Sequence, residues 1–207
     1  MNLSEIVRGR RSIRKYEDRE IPVELLKEIL DDAVWAPSGT NRQNWEIVVV
    51  RGARKDGLLK LIDAAAVFVK PRLEKYLSGK MVNITLQFFK NLGGAPVILL
   101  VYIPKAKYEI RDGMSNLEKF RAEHGRFTDI CSASALIQNI LLLAKAKGLG
   151  TCWMTAPKYV EDEIGEFLGI TDRELVSVIP IGYPAQDPPA PPRKGDKIKW
   201  IGFEQEP

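Results

Sequence analysis

The chain has 207 residues, a length that suits one compact domain and is short for two. Hydrophobic residues make up 45% and charged residues 28%, the balance of a folded globular chain rather than a disordered or fibrous one. No run of about 18 uninterrupted apolar residues is present, and Met1 to Arg11 have no apolar region of a secretory signal. We therefore expect no membrane insertion and a cytoplasmic protein.

The charge balance and the cysteine content exclude several kinds of site. The formal net charge of +4 is too mild to imply nucleic acid by itself. Cys131 and Cys152 lie in apolar patterns, which predicts two buried, reduced thiols rather than a disulfide. With His124 as the single histidine, the chain has no recognised zinc-ligand spacing, and we expect no metal site.

The N-terminal half contains helical and strand patterns bounded by glycine, proline or polar residues. The helix from Pro22 has one apolar face, begins with a proline suited to the first helical position, and ends before Pro37. In chain order, the predictions are helices at Leu3–Arg8 and Pro22–Trp35, a strand at Trp45–Val50, helices near Lys55–Ala66 and Glu74–Asn91, and a strand at Pro96–Ile103.

The C-terminal half centres on a long helix. Thr128–Lys147 repeats apolar residues at helical spacing, and Gly148 supplies a left-handed stop. A strand at Leu149–Met154, a helix from Pro157 to near Gly169, and a strand at Leu175–Ile181 follow. Because helices dominate and do not alternate cleanly with strands, the sequence predicts an α+β sandwich with helices flanking a small sheet.

Two segments fit no regular pattern. Pro104 to Phe127 carries Tyr108, Met114, Phe120 and His124 and is either a mobile lid or a surface helical hairpin. Pro184 to Pro192 contains five prolines in nine residues, which predicts a stiff, extended strap. The residues beyond it must land on another surface, and a second subunit is one plausible place.

The first candidate site is a run of cations near the N-terminus. Arg8, Arg10, Arg11, Arg14 and Lys15 have no acid among them, and Ser12 stands in the middle. In an extended backbone, Arg10, Ser12 and Arg14 project to one side while Arg11 points to the other. Guanidinium groups and a hydroxyl at this spacing suit a compact phosphate, although a solvated basic face is the alternative interpretation.

Two further segments combine small residues with hydrogen-bonding groups. Ala36 to Trp45 is a polar loop before a buried strand, and it could lie flat against a heteroaromatic ring and bond its edge. Gly148 to Pro157 permits close backbone approach and then offers backbone N–H groups to an accepting atom. Taken alone, the first is more often an ordinary turn and the second a helix cap followed by a core strand.

Taken in order, the three segments resemble the flavin-dependent nitroreductase family. The resemblance rests on Arg-Arg-Ser-Ile-Arg, on Ala-Pro-Ser-Gly-Thr-Asn-Arg-Gln-Asn-Trp and on Gly-Leu-Gly-Thr-Cys-Trp, and it runs from Ile6 to about Lys194. It implies one domain over residues 1–207, folded as a three-layer α/β/α sandwich around a small, mostly antiparallel sheet. It also implies a homodimer with FMN in two clefts at the interface and a strap, about 184–207, wrapped onto the partner.

The resemblance implies a role for each matching residue. Arg10 and Arg11 would meet the FMN phosphate with help from Ser12, and Arg14 would approach the pyrimidine edge of the ring. Arg193 or Lys194 would add a phosphate contact. The loop residues that would reach the flavin from the partner chain are Pro37, Ser38, Gly39 and Asn41. The residues near the flavin N5 edge would be Met154, Thr155 and Ala156. A polar residue from the middle of the chain would also contact the flavin, and it is one of Asn83, Gln87 and Asn91.

The implied function is an FMN-dependent NAD(P)H oxidoreductase that reduces nitroaromatics, quinones or related conjugated electrophiles by a ping-pong mechanism. The flavin N5 is the reactive atom, no protein residue is a catalytic acid or base, and Thr155 and Arg14 tune the flavin. A reductive dehalogenase or a flavin-processing enzyme is the alternative within the same fold. A basic nucleic-acid-binding module is the alternative of another class, but only Tyr16 supplies an adjacent stacking aromatic.

Overall fold

The computed structural model describes residues 2–105, 110–195 and 197–202. The helices are α1 (Leu3–Gly9), α2 (Val23–Ala33), α3 (Ala53–Ala64), α4 (Ala66–Glu74), α5 (Gly79–Asn91), α6 (Asn116–Ala146) and α7 (Glu161–Leu168). The strands are β1 (Glu46–Arg51), β2 (Val97–Pro104), β3 (Gly150–Thr151) and β4 (Arg173–Gly182). Short 3₁₀ helices occupy Gly39–Asn41, Leu92–Gly94 and Ala156–Val160.

The four strands form one antiparallel sheet in the order β1-β2-β4-β3. The central strand β2 pairs with β1 from Glu46↔Tyr102 to Arg51↔Val97. Its pairing with β4 shifts register between Val101 and Tyr102. The two-residue strand β3 pairs with the C-terminal end of β4, so the first residues after α6 lie at this edge of the sheet.

Side chains of β2 alternate between two hydrophobic cores, because successive residues of a strand point to opposite faces. From Val97 to Ile103 each residue is at most 1% exposed. One core joins Val97, Leu99, Val101 and Ile103 to side chains of α2 and α6; the other joins Ile98, Leu100 and Tyr102 to side chains of α3, α5 and α7. The sheet therefore lies between two helical layers, and the predicted three-layer sandwich is confirmed.

The long helix α6 begins at Asn116, not at Thr128, so the N-terminal boundary predicted for it is wrong. Ser115 and Glu118 form a capping box, in which Ser115 Oγ accepts from the Glu118 N–H and the Glu118 carboxylate accepts from the Ser115 N–H. Residues 116–127, which were expected to be irregular, are consequently the first turns of a helix. The segment between β2 and Ser115 includes residues 106–109, which lie outside the described residues.

Two other predictions need correction. The segment predicted as one helix from Glu74 begins at Gly79, and a separate helix, α4, precedes it and contains Pro71. Cys152 is buried as predicted, but Cys131 is exposed. The buried stripe of α6 passes through Ser132 and Ala133, and Cys131 lies outside it on the solvent side.

Among the described residues, α6 is the one helix whose length and composition would also allow it to cross a membrane. Its buried side chains, including Leu136, Ile137 and Ile140, pack in the core shared with α2 and β2. Packing in this core accounts for the apolar content of the helix within the fold.

Shortening a buried side chain of the central strand tests the position of the hydrophobic core. Leu99→Ala should lower the free energy of unfolding by about 2–5 kcal/mol, because Leu99 is fully buried between the layers. Leu117→Ala, at a position on α6 that is 56% exposed, is the matched control and should change it by about 0.5 kcal/mol or less. Urea denaturation at one protein concentration measures both; equal losses would contradict the assignment of the core.

Candidate functional site

The basic segment at the N-terminus runs along the edge of the sheet. The Ile13 N–H donates to the Thr151 carbonyl at 2.9 Å, and the Tyr16 N–H donates to the Gly93 carbonyl at 2.9 Å. Ser12 forms a parallel bridge with Thr151. The segment therefore extends the sheet beyond β3, and its backbone position is fixed by hydrogen bonds on two sides.

The buried side chain of Tyr16 holds this segment in place. Its side chain is 6% exposed, and its hydroxyl lies 2.8 Å from the Ile13 carbonyl and 3.1 Å from the Pro180 carbonyl, to which it can donate. Burial raises the pKa of Tyr16 above its ordinary value of 10.0. The hydroxyl thus remains protonated, and a donor, at any physiological pH.

Three glycines allow the segment to lie against its neighbours. A Cβ on Gly93 would stand 2.1 Å from the Arg14 carbonyl oxygen, and one on Gly150 would stand 2.6 Å from a side-chain carbon of Ile13. A Cβ on Gly182 would stand 2.9 Å from the Tyr16 ring. Because real Cβ atoms do not approach this closely, only glycine fits at these positions without moving the basic segment.

The arginines of this segment differ in the partners of their guanidinium groups. Arg11 Nη1 donates to the Arg8 and Arg10 carbonyls at 2.7 and 2.8 Å, so its guanidinium is engaged at the C-terminal end of α1. Burial raises the pKa of the Cys152 thiol, while the charges of Arg14 and Arg10 oppose that rise. The positive charges of Arg10 and Arg14 thus both favour the thiolate form of the same buried sulfur.

Two neighbouring clefts receive these side chains. A small pocket of about 40 Å³ is lined by Arg10 and Arg11 together with Lys145 of α6. An open cleft of about 570 Å³ is lined by Arg14 and by Asn83, Ile84, Gln87, Phe88 and Asn91 of α5, among others. Gln186 of the strap lines both, so the clefts adjoin. Three cations and the Asp187 carboxylate thus surround one end of the site, a net positive charge, and the other end offers Arg14, amide groups and apolar surface.

The three amide candidates of α5 share one face of the helix, because they are spaced four residues apart. Asn91 Oδ1 accepts from the Gly93 N–H at 3.0 Å, so this oxygen holds the turn after α5. Asn83 and Gln87 line the open cleft, and the structure brings both into the same cleft as Arg14.

The loop that contains Pro37, Ser38, Gly39 and Asn41 packs on α6. The Gly39 N–H donates to Ser132 Oγ at 3.2 Å, and the Gln43 N–H donates to Ser38 Oγ at 3.0 Å. Its anchor Ser132 precedes Lys145 by thirteen residues of one helix, an axial separation of about 20 Å. Within one chain, this loop and the basic segment thus lie near different turns of α6.

Backbone strain is concentrated in this loop. Thr40, Asn41 and Gln43 have φ values of 53°, 54° and 47°, in the left-handed region that few non-glycine residues adopt. Each such residue costs on the order of 1 kcal/mol, and the contacts with α6 hold the loop in this shape. Strain of this kind is typical of a loop that is shaped for binding.

The third predicted segment follows β3. Met154 is 7% exposed, and its N–H donates to the Val178 carbonyl at 3.0 Å, so this N–H is engaged within the sheet. Thr155 is exposed and Ala156 is half-buried, and both line a further cavity of about 490 Å³. The structure thus brings Thr155 and Ala156, but not the N–H of Met154, to a surface that a ligand can reach.

A cluster of charged side chains holds this segment on β4. Lys158 Nζ donates to Glu161 at 2.9 Å and to Glu174 at 2.8 Å. Arg126 of α6 donates to both oxygens of the Glu174 carboxylate through three contacts of 2.5 to 3.1 Å. Burial alone would raise the pKa of Glu174, but the hydrogen bonds from Arg126 and Lys158 outweigh it and lower the pKa below 4.5. Because Lys158 follows Thr155 and Ala156 closely in the chain, the cluster holds these residues next to β4.

The remaining predicted residues lie away from these clefts. Arg193 and Lys194 are exposed in the strap, and the two clefts of the basic segment are lined by neither. Of the lid residues, Tyr108 lies outside the described residues, Phe120 and His124 are exposed neighbours on α6, and Met114 precedes that helix. Lid behaviour therefore stays a prediction.

Lys145 and Gln186 line the clefts but were not among the residues predicted from the sequence, whereas Lys15 is part of the first candidate site. Lys15 belongs to the N-terminal cation run, and Gln186 is the one amide within the proline-rich stretch from Pro184 to Pro192. Lys145 carried no local signal, because a lysine near a helix C-terminus is ordinary helix chemistry.

Comparison with known proteins decides the family. The model of the Nitroreductase family matches residues 7–183. The chain belongs to the nitroreductase family. Among its relatives is a Bacillus subtilis (strain 168) protein, YfhC, whose name proposes an NAD(P)H nitroreductase. It is 31% identical over 188 residues, which are 90% of this chain and 86% of that protein.

Two further relatives of the nitroreductase chain carry different enzyme names. The 4-nitrobenzoate reductase of Nocardioides sp. (strain LMS-CY) is 30% identical over 202 residues, covering 86% of this chain and 78% of that enzyme. The iodotyrosine deiodinase of Thermotoga neapolitana is 26% identical over 207 residues, covering 97% of this chain and 98% of that enzyme.

Solved structures share the fold of the nitroreductase chain. A nitroreductase-like family protein from Bacillus cereus superposes with a TM-score of 0.73 at 22% identity, covering 98% of this chain and 97% of that one. A candidate nitroreductase from Desulfovibrio desulfuricans in complex with FMN has a TM-score of 0.67 at 25% identity, covering 94% and 93%.

Acid titration tests the charged cluster beneath Thr155. Because the pKa of Glu174 is lowered, its carboxylate stabilises the fold at neutral pH, and this contribution is lost as the pH falls through the lowered pKa. Glu174→Gln should therefore reduce the free energy of unfolding by about 2 kcal/mol at pH 7, and the difference from the native chain should shrink on acidification below pH 4.5.

The control for this titration is Glu123→Gln, at an exposed position of α6, which should change the free energy by about 0.5 kcal/mol or less at any pH. Denaturant unfolding at several pH values between 3 and 7 measures both variants. A pH-independent difference for Glu174→Gln would contradict the role given to its charge.

Proposed function

We propose that this chain is an NAD(P)H oxidoreductase that reduces nitroaromatics, quinones or related conjugated electrophiles in alternating, ping-pong half-reactions. Membership of the nitroreductase family makes it an enzyme with FMN as cofactor and NAD(P)H as electron donor. When bound, FMN supplies two-electron chemistry at its N5. The net balance of one turn on a nitro group is one hydride from NAD(P)H and one proton, which yield a nitroso group and water.

The groups around the two clefts suit a flavin nucleotide. Arg10, Arg11 and Lys145 around the small pocket offer positive charge to a phosphate. Arg14 at the open cleft would hold a positive charge beside the pyrimidine edge, and Asn83 or Gln87 would bond ring heteroatoms. This adjoining arrangement of cations and amides is the observation that carries the proposal.

Other residues of this chain would shape the reacting side. Thr155 would offer its hydroxyl to the N5 edge, and Ala156 beside it leaves room for a planar ring, since both line an open cavity. Hydride transfer to the flavin requires no general base from the protein, because the flavin supplies the reactive atoms. In the proposed ping-pong order, donor and acceptor use the same cleft in turn. The protein's contribution is binding, orientation and electrostatics.

We propose that the active form is a homodimer with residues of both chains around each cofactor. Trp35, Ile198 and Ile201 are more than 70% exposed, which is costly for a monomer in water. A partner's loop at Pro37–Asn41 would supply contacts that the same chain's loop, about 20 Å away along α6, does not.

Reductive dehalogenation is the second candidate function. It is favoured by the 26% identity with the iodotyrosine deiodinase over nearly the full length of both chains. The two functions share cofactor and fold, and they differ in the bond that is broken. Dehalogenation replaces a ring halogen by hydrogen and releases halide, whereas nitro reduction breaks an N–O bond, releases water and leaves the nitrogen on the ring. Assays with iodotyrosine and with nitroarenes distinguish them.

Anaerobic turnover tests the proposed function. The purified protein, saturated with FMN, should be bleached by NADH or NADPH, and its flavin absorbance should return on addition of a quinone, a nitroarene or a halogenated phenol. Gel filtration should give the mass of a dimer. A colourless monomer that does not bind added FMN would overturn the proposal; salt-dependent DNA binding by that protein would favour the nucleic-acid alternative.

Removal of the cations tests the assignment of Arg10 to the phosphate and of Arg14 to the pyrimidine edge. Arg10→Ala and Arg14→Ala should each weaken FMN binding by about tenfold to a hundredfold, because a charge-assisted hydrogen bond is lost. Arg8→Ala removes an arginine of α1 whose side chain lines neither cleft and should change binding less than about threefold. Quenching of flavin fluorescence in titrations of flavin-free protein measures the dissociation constants.

Neighbouring glycines provide a matched steric test. Gly93 and Gly94 both have positive φ, of 68° and 79°, so alanine is strained at either position. Only at Gly93 would the Cβ meet the Arg14 carbonyl, whereas the space beside Gly94 is open. Gly93→Ala should weaken FMN binding tenfold or more and Gly94→Ala at most about threefold; equal effects would show that Arg14 does not depend on this contact.

A further inference from the structure

The cavity beside Thr155 extends away from the proposed flavin site toward α4. Its volume of about 490 Å³ lies within the usual range of small-molecule sites, about 300–1,000 Å³. Thr155 and Ala156 line one part, and Val69 and Arg72 of α4 line another. Val69 and Arg72 are three residues apart on one helix and share the face that borders the cavity. A molecule in this cavity would touch both the proposed reacting end and α4.

The uncharged walls of this cavity suit a planar aromatic ring. The Tyr159 ring stacks on Phe68 of α4, with ring centroids 5.5 Å apart and an interplanar angle of 17°. This stacking holds Tyr159 at the border of the cavity, where Val69 and Ala156 add apolar surface. Aromatic ligands gain stabilisation from such faces through burial and ring contacts.

Two of the three charged residues around the cavity neutralise each other. Lys158 Nζ has three N–H bonds, and it has three acceptors: Glu161 at 2.9 Å, Glu174 at 2.8 Å and the Leu175 carbonyl at 3.2 Å. Glu161 Oε2 also accepts from the Leu175 N–H at 3.0 Å. The ammonium has no N–H left for a ligand, and the Glu161 carboxylate is already bonded.

Arg72 is the charge that remains. Within residues 2–105, 110–195 and 197–202, the structure shows no ion pair and no hydrogen bond of its guanidinium. A guanidinium offers a planar fork of N–H donors that matches a carboxylate. The cavity therefore presents apolar, aromatic walls, a hydroxyl at one side and an unpaired cation at another.

From this arrangement we infer that the preferred electron acceptor is an aromatic electrophile that carries a carboxylate, and that Arg72 selects it. The inference rests on the proposed function, since it concerns the acceptor of that same site. The ring lies against Tyr159 and Val69, the carboxylate bonds Arg72, and the reducible group points toward Thr155. Arg72 is a specificity residue here and takes no part in electron transfer.

The same helix provides a control for the loss of charge. Lys70, two residues from Arg72, is exposed and pairs with Glu74 at 3.8 Å across one turn of α4. It does not line the cavity. Lys70→Gln therefore removes one positive charge from α4 without changing the groups that a bound acceptor would meet.

The test compares two acceptors of similar shape, 4-nitrobenzoate and the uncharged 4-nitrobenzamide, with the FMN-saturated protein. The measured quantity is the ratio of their kcat/KM values, so differences in reactivity between the compounds cancel when variants are compared. Arg72→Gln should lower the ratio about tenfold or more, the loss expected of a charge-assisted hydrogen bond. Arg72→Glu should lower it further through repulsion, and Lys70→Gln should keep it within about twofold.

The outcomes separate this inference from the proposed function. If both compounds are reduced and the ratio is the same in all variants, the inference is wrong and the proposed function stands. If neither compound is reduced, the proposed function fails for nitroarenes. In that case calorimetric titration of FMN-saturated protein with 4-nitrobenzoate still decides the inference: weaker binding by Arg72→Gln supports it, and equal or absent binding overturns it.

Discussion

The close contact between the basic segment and three glycines is the constraint on which the candidate site depends. Arg14, Ile13 and Tyr16 lie against Gly93, Gly150 and Gly182 at distances that exclude any side chain. Hydrogen bonds from Ile13 and Tyr16 then fix the backbone between β3 and the turn after α5. Guanidinium groups are long and flexible, so a site built from them needs a rigid backbone to direct them.

The sheet and its two helical layers provide that rigidity. The strand β2 is buried on both faces, and the two cores that meet it include side chains from the helices on either side. The edge strand β3 is short, which leaves the sheet open for the basic segment to continue it. The site thus forms where the regular sheet ends, and the loops that carry function are supported by a packed interior.

Much of this architecture could be predicted from the sequence, since apolar periodicity marks buried strands and helices directly. The start of α6 could not be predicted from periodicity, because its first turns are exposed and carry no apolar stripe; the Ser115–Glu118 capping box was the available signal. Cys131 was misjudged because one residue of helix rotation separates it from the buried stripe.

The candidate site was predictable in part for similar reasons. Arg10, Arg14 and Thr155 lie in motifs that are contiguous in the sequence, so a local pattern was enough to select them. Lys145 lies at the C-terminal end of α6 and Gln186 lies in the strap, so their proximity is a property of tertiary structure alone. The engagement of the Met154 N–H with the Val178 carbonyl of β4 likewise depends on an atom far away in the sequence.

The helix α6 sets the spacing between the loop at Ser132 and the pocket at Lys145. An α-helix turns by about 100° and advances by about 1.5 Å for each residue. Insertion or deletion of a single residue between these points would swing one contact to another side of the helix while leaving the other in place. Insertions or deletions before Ser115 or after Pro184 leave this spacing unchanged. Between Ser132 and Lys145, in contrast, the number of residues must stay constant for both contacts to form.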